Sequence, residues 1–90
     1  MVKLRLFATL REIAGSKEVE IDGDALSIKD ALKRFADRFG ARAAEALFDK
    51  QGELQPSVLL LVNGEAAAQG AATRVKPGDT VAVLLPTAGG

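Results

Sequence analysis

The sequence predicts an α+β domain, a mixed sheet of four to five strands with one main helix packed on one face. Three observations carry this. Apolar residues alternate at period two near both ends of the chain, which is the mark of half-buried strands. Between them, "SIKDALKRFADRFG" places its apolar residues at helical spacing. A length of 90 residues suits one such two-layer core and not two. No internal repeat and no interdomain linker breaks the chain.

In order, "VKLRLFATL" puts Val2, Leu4, Leu6, Ala8 and Leu10 on one face of a first strand. Lys3, Arg5, Phe7 and Thr9 take the other face, where Phe7 is the one large apolar residue. Turn chemistry at Ala14 to Ser16 and a second strand carrying Val19 and Ile21 predict a hairpin. Ser27 is a helix cap with Asp30 three residues on, as in a capping box. Ile28, Ala31, Leu32, Phe35 and Phe39 form the apolar stripe, and Gly40 is placed to end the helix. Lys29, Lys33, Arg34 and Arg38 line its far side. Asp30 and Asp37 interrupt them, so a solvated face is expected rather than a basic binding surface.

"ARAAEALFD" predicts a second, short helix that turns Leu47 and Phe48 to the core, followed by a loop at "KQGEL". "SVLLLV" is a continuous apolar strand from Ser57 to Val62, bounded by Pro56 and by the turn pair Asn63-Gly64. An alanine-rich stretch, read as weak strand or turn, leads to the Pro77-Gly78-Asp79 turn. The last strand alternates Val81, Val83 and Leu85 against Thr80, Ala82 and Leu84.

One helix leaves the second face of the sheet open. A strand covered on one side should alternate, yet the run from Val58 to Val62 does not, so both its faces are expected to be dry. Phe7 and Leu84 also lie out of phase with the inward sets. Phe7, Leu84, Leu59 and Leu61 are therefore expected on the outer face as a patch for a partner. In the competing arrangement the alanine-rich segment or the short helix folds over it.

The chain then finishes on "PTAGG". Residues 1–85 are expected to form the domain and residues 86–90 a flexible C-terminal tail. Five residues reach roughly 17 Å when extended. Pro86 cannot donate to a ladder, Thr87 and Ala88 are small, and Gly89 and Gly90 carry no side chain. Such a shape suits threading into another protein's active site.

Composition narrows the chemistry. With 12 basic and 12 acidic residues there is no net field for nucleic acid or an anionic membrane. Neither cysteine nor histidine is present, which removes disulfides, thiolate metal sites, a cysteine nucleophile and the usual general base. No targeting segment or membrane span is apparent. A cytoplasmic protein with little chemistry of its own, and no bound metal or cofactor, is expected.

"FATLREIAG", "LLLVNGE", "VKPGDTVAVLLP" and the final "GG" resemble the ubiquitin-like sulfur carriers, the MoaD/ThiS family. The likeness runs along the whole chain and is greatest to the small subunit of molybdopterin synthase, with small archaeal modifier proteins as relatives. The terminal diglycine and the Phe7, Arg11, Glu12 and Gly15 pattern are its most specific parts. The resemblance implies the β-grasp (ubiquitin-like) fold. It implies that the Gly90 carboxylate is adenylated by an ATP-dependent activating enzyme and converted by a sulfur donor to a thiocarboxylate. The chain would then be no enzyme by itself, but would give sulfur to a pterin within a molybdopterin synthase large subunit. Phe7 and Leu84 would dock the body, Arg11 would make polar contacts, and Gly89 would allow passage of the tail. A protein modifier joined to lysines through Gly90 is the alternative, as are carriers for thiazole, tRNA thiolation or cysteine synthesis. An interaction domain with an inert tail is the rival from another class.

Overall fold

The computed structural model describes residues 1–23 and 26–85. Strand β1 (Val2–Leu6) buries Val2, Leu4 and Leu6 completely or nearly so and turns Lys3 and Arg5 outward. The strand stops there, four residues before the predicted end. Ala8, with φ at +48°, turns the chain into helix α1 (Ala8–Ala14). Leu10 is fully buried in either arrangement, so alternation could not separate strand from helix at this point. The helical signal was Leu10, Ile13 and Ala14 at i, i+3 and i+4, and all three face the core. Gly15 closes α1 in the left-handed conformation, its N–H donating to the Arg11 carbonyl at 2.8 Å. Strand β2 (Glu18–Ile21) then pairs antiparallel with β1, so the predicted hairpin stands with a helix in its connection.

A two-residue strand β3 (Leu26–Ser27) leads into helix α2 (Ile28–Phe39). The Ser27 hydroxyl accepts from the Asp30 N–H at 3.1 Å, as the cap signal predicts. Ile28, Ala31, Leu32 and Phe35 are buried, while Phe39 is only half-buried. At Gly40, φ is +97°, a value that favours glycine. Its N–H donates to Ala36 at 2.7 Å and its carbonyl accepts from Ala43 at 3.1 Å. One residue thus ends α2 and starts helix α3 (Ala41–Leu47), the short helix expected from "ARAAEALFD". Leu47 is buried and Phe48 half-buried.

Strand β4 (Leu59–Val62) turns through Asn63 and Gly64 into β5 (Glu65–Ala66). Both turn residues have positive φ, at +51° and +89°, as a type I′ hairpin requires. A single 3₁₀ turn (Gly70–Ala72) precedes β6 (Arg74–Val75), which pairs with β3, and β7 (Thr80–Leu84) closes the described chain. The main sheet runs β2-β1-β7-β4-β5, with β1 and β7 parallel and the other neighbours antiparallel. This is the mixed sheet with the main helix on one face that the sequence predicts. Phe35, Leu32, Leu47, Leu10, Val81 and Val83 fill the space between the layers. Each large side chain so buried contributes about 1.5–3 kcal/mol before the cost of ordering.

Two polar devices fix the margins. Arg34 and Arg38, one turn apart on α2, donate to the Asp22 and Glu20 carbonyls at 3.0 and 3.3 Å. They occupy acceptors on the outer side of β2, an edge strand that would otherwise template pairing with another chain. Lys29 meets Glu53 at 2.6 Å. The basic side of α2 is thus tied mostly to its own fold.

The second device is at the start of β7. Asp79 N–H closes on the Lys76 carbonyl at 3.0 Å, with Gly78 at φ +96°. The Asp79 carboxylate accepts from the Lys76 N–H at 3.0 Å and from Asn63 Nδ2 at 3.1 Å. Asn63 Oδ1 in turn accepts from the Thr80 N–H at 2.9 Å. The Lys76 amide, then Asn63, hold the Asp79 carboxyl below the usual aspartate range. A depressed folded value means the stabilisation is present above the unfolded value of about 3.9 and lost as pH falls through the folded one. Asp79→Ala is expected to cost about 1 kcal/mol at pH 7. In urea titrations the gap to the wild type should shrink as the pH is taken below about 3.9.

Candidate functional site

Strand periodicity and register together shape the outer face. Even residues of β1 point to the core, so Lys3, Arg5 and, just past the strand, Phe7 share the other side. On β7 the odd residues Val81 and Val83 are buried, which leaves Thr80, Ala82 and Leu84 outward. On β4, Leu60 is 8% exposed and Leu59 is 65% exposed. Leu59 is the register partner of Leu84 and Leu61 that of Ala82, while Ala66 on β5 faces Leu61. In the parallel ladder Leu6 faces Val83, so Phe7 and Leu84 stand one residue beyond the last pair.

The four apolar residues singled out in the sequence, Phe7, Leu59, Leu61 and Leu84, are therefore brought onto one face. The expectation that both faces of Val58 to Val62 are dry is corrected. On the outer side Leu59 is open to solvent, and Phe7, Leu61 and Leu84 are half-buried. Nor does the competing arrangement occur. Helix α3 packs on α2 and α1, and the 3₁₀ turn packs on α2, all on the core side.

Arg11 reaches the same place from α1. Its guanidinium lies 5.9 Å from the centre of the Phe7 ring. Arg5, which in the sequence looks like an ordinary exposed charge, lies 5.9 Å from the same ring. Its signal was the i, i+2 spacing to Phe7 on one strand face. Pro86, Thr87, Ala88, Gly89 and Gly90 lie outside the described residues.

Other chemistry is sparse. Among the described residues no three acidic side chains gather as a metal site would require, and no helix is long and apolar enough to cross a membrane. A hollow on the helical side is lined by Ala36, Ala44, Phe48 and Pro56 together with Lys33 and Asp49. None of the residues expected to dock a partner borders it.

A mixed sheet gripping one long helix, with an apolar strip on its free face, defines a ubiquitin-like β-grasp protein. The chain belongs to the ThiS family, which matches residues 4–90. It is 43% identical to small archaeal modifier protein 1 of Haloferax volcanii over 90 residues, 96% of this chain and 97% of that one. The solution structure of small archaeal modifier protein 1 from Methanosarcina acetivorans superposes with a TM-score of 0.81 at 33% identity, covering 99% and 95% of the two chains. A chain of the BexX/CysO complex of Amycolatopsis orientalis matches over its whole length, as does this one, with a TM-score of 0.79 and 27% identity.

Proposed function

We propose that the protein is a ubiquitin-like modifier and sulfur carrier whose Gly90 carboxylate is activated by a separate ATP-dependent enzyme docked on the outer face. The observation that carries this is the apolar row of Phe7, Leu84 and Leu59, which meets at the strand that leads into residues 86–90. The family likeness runs through residue 90 and supports the same reading.

A carboxylate resists attack because oxide is a prohibitive leaving group. In the proposed activation, a Gly90 oxygen attacks the α-phosphorus of ATP and pyrophosphate leaves. The acyl adenylate then loses AMP to whichever nucleophile arrives. A lysine amine gives an isopeptide bond, and hydrosulfide gives a thiocarboxylate directly. A donor persulfide instead gives an acyl disulfide, from which a second thiol releases the thiocarboxylate as it forms a disulfide with the donor sulfur. Neither product needs a cysteine or histidine of this chain.

Two of the similar proteins are modifiers by name, one of them at 43% identity, and this favours conjugation to lysines over sulfur donation to a pterin. Sulfur carriage is the second reading, favoured by the family match. The small-subunit role in molybdopterin synthesis is one narrower form of it.

Incubation with the activating enzyme and ATP, followed by mass spectrometry, separates the outcomes. Conjugation predicts branched peptides on lysines of other proteins. Trypsin cuts after Arg74 but not between Lys76 and Pro77, so the branch to search for spans residues 75–90. Sulfur carriage predicts one oxygen replaced by sulfur in the intact chain. An unmodified protein with no adenylate and no pyrophosphate released would defeat the proposal.

A further inference from the structure

Charge on the outer face is arranged in bands. Glu18 and Glu20 stand on the β2 edge and Lys3 and Arg5 on β1, and the apolar residues of β7 and β4 follow. Glu18 serves two cations at once. Its carboxylate lies 3.8 Å from Lys3 Nζ and 3.6 Å from Arg5 Nε, with about half of each side chain exposed. Arg11 has no carboxylate within ion-pair distance among the described residues, although Glu12 follows it in the chain. Its contact there is the Phe7 ring. The apolar strip is thus bordered at its Phe7 end by two guanidiniums, of which Arg5 divides the Glu18 carboxylate with Lys3 and Arg11 has no ion pair among the described residues.

From this we infer that the partner docking on the strip presents carboxylates to Arg5 and Arg11, and that Glu18 competes with them for Arg5. This rests on the reading that the outer face docks the activating enzyme. A purely apolar partner would strip water from both guanidiniums and return nothing, which is costly. Carboxylates at that border restore charge-assisted hydrogen bonds, and the planar guanidinium fork suits bidentate pairing. Exchange is cheap on this side, because an exposed ion pair such as Arg5–Glu18 contributes little to folding. The Phe7 ring holds both cations beside the apolar strip, so charge and apolar contact are offered as one surface.

The test is the affinity for the purified activating enzyme of the same organism, without ATP, at low and high salt. Glu18→Gln is expected to bind about threefold to tenfold tighter at low salt, and the gain should vanish at high salt. Arg5→Gln should weaken binding by a similar factor, and Glu18→Gln should then add nothing, since its effect acts through Arg5. Unchanged or weaker binding by Glu18→Gln would overturn the inference, as would a gain that persists in the Arg5→Gln background. Phe7→Ala serves as the reference. If it alone loses binding, the charge competition is wrong and the docking face survives. If it too binds as the wild type does, the docking face itself is wrong.

Discussion

Deleting Gly90 is expected to reduce ATP–pyrophosphate exchange by the activating enzyme to background while leaving thermal unfolding unchanged. The two halves of this result have different physical sources. Among the described residues, β7 ends at Leu84 and the core is built from residues up to Leu85, so it is expected to stand without Gly90. Activation is expected to be lost, because in the proposed docking through the outer face the partner holds the end of the last strand, and the chain beyond it must span the distance to the reacting phosphate. Removing one residue withdraws the carboxyl carbon by up to about 3.5 Å. A misplacement of about 1 Å already costs on the order of a hundredfold in an oriented reaction. Gly89→Ala with Gly90 intact is the companion measurement. It keeps the reach and adds one Cβ, so a loss there reports a narrow passage instead of a short arm. Wild-type exchange by the Gly90 deletion would show that activation does not depend on the position of the Gly90 carboxylate.

Much of this arrangement is legible in the chain wherever the signal is local. Ser27, Gly40, Asn63-Gly64 and Pro77-Gly78 each fix a cap or turn through their own backbone requirements, and each does so in the structure. The outer apolar strip is legible for a related reason. A large apolar residue out of phase on an alternating strand has one face left to occupy, and Phe7 and Leu84 both occupy it. What failed lay where two periods agree or where pairing is distant. Leu10 is inward as a strand residue and as a helix residue, so α1 was hidden behind a false continuation of β1. The strands β3 and β6 are two residues each and exist through each other, across almost fifty residues of chain. The parallel β1–β7 pairing, which sets Phe7 near Leu84, is likewise a property of the whole. Arg5 looked like any exposed charge until Arg11 arrived over the same ring from a helix that periodicity had not disclosed.

Two neighbours on β4 are expected to respond to the same substitution in opposite ways. Leu60→Ala should cost about 2–5 kcal/mol, because the residue is 8% exposed and packed with the core. A domain of this size has only about 5–15 kcal/mol in total, so a large fall in melting temperature follows. Leu59→Ala, one residue earlier and 65% exposed, removes little from water and should change stability by less than about 0.5 kcal/mol. Its effect should instead appear in docking, where truncating a central apolar anchor typically weakens binding by about 1–2 kcal/mol, roughly fivefold to thirtyfold. Urea titration and the affinity for the activating enzyme, measured on both variants, separate the two faces. The pattern that would contradict this assignment is a stability loss at Leu59 comparable to that at Leu60. Leu59 would then belong to the folded core, and the face it shares with Leu84 and Phe7 would not be free to meet a partner.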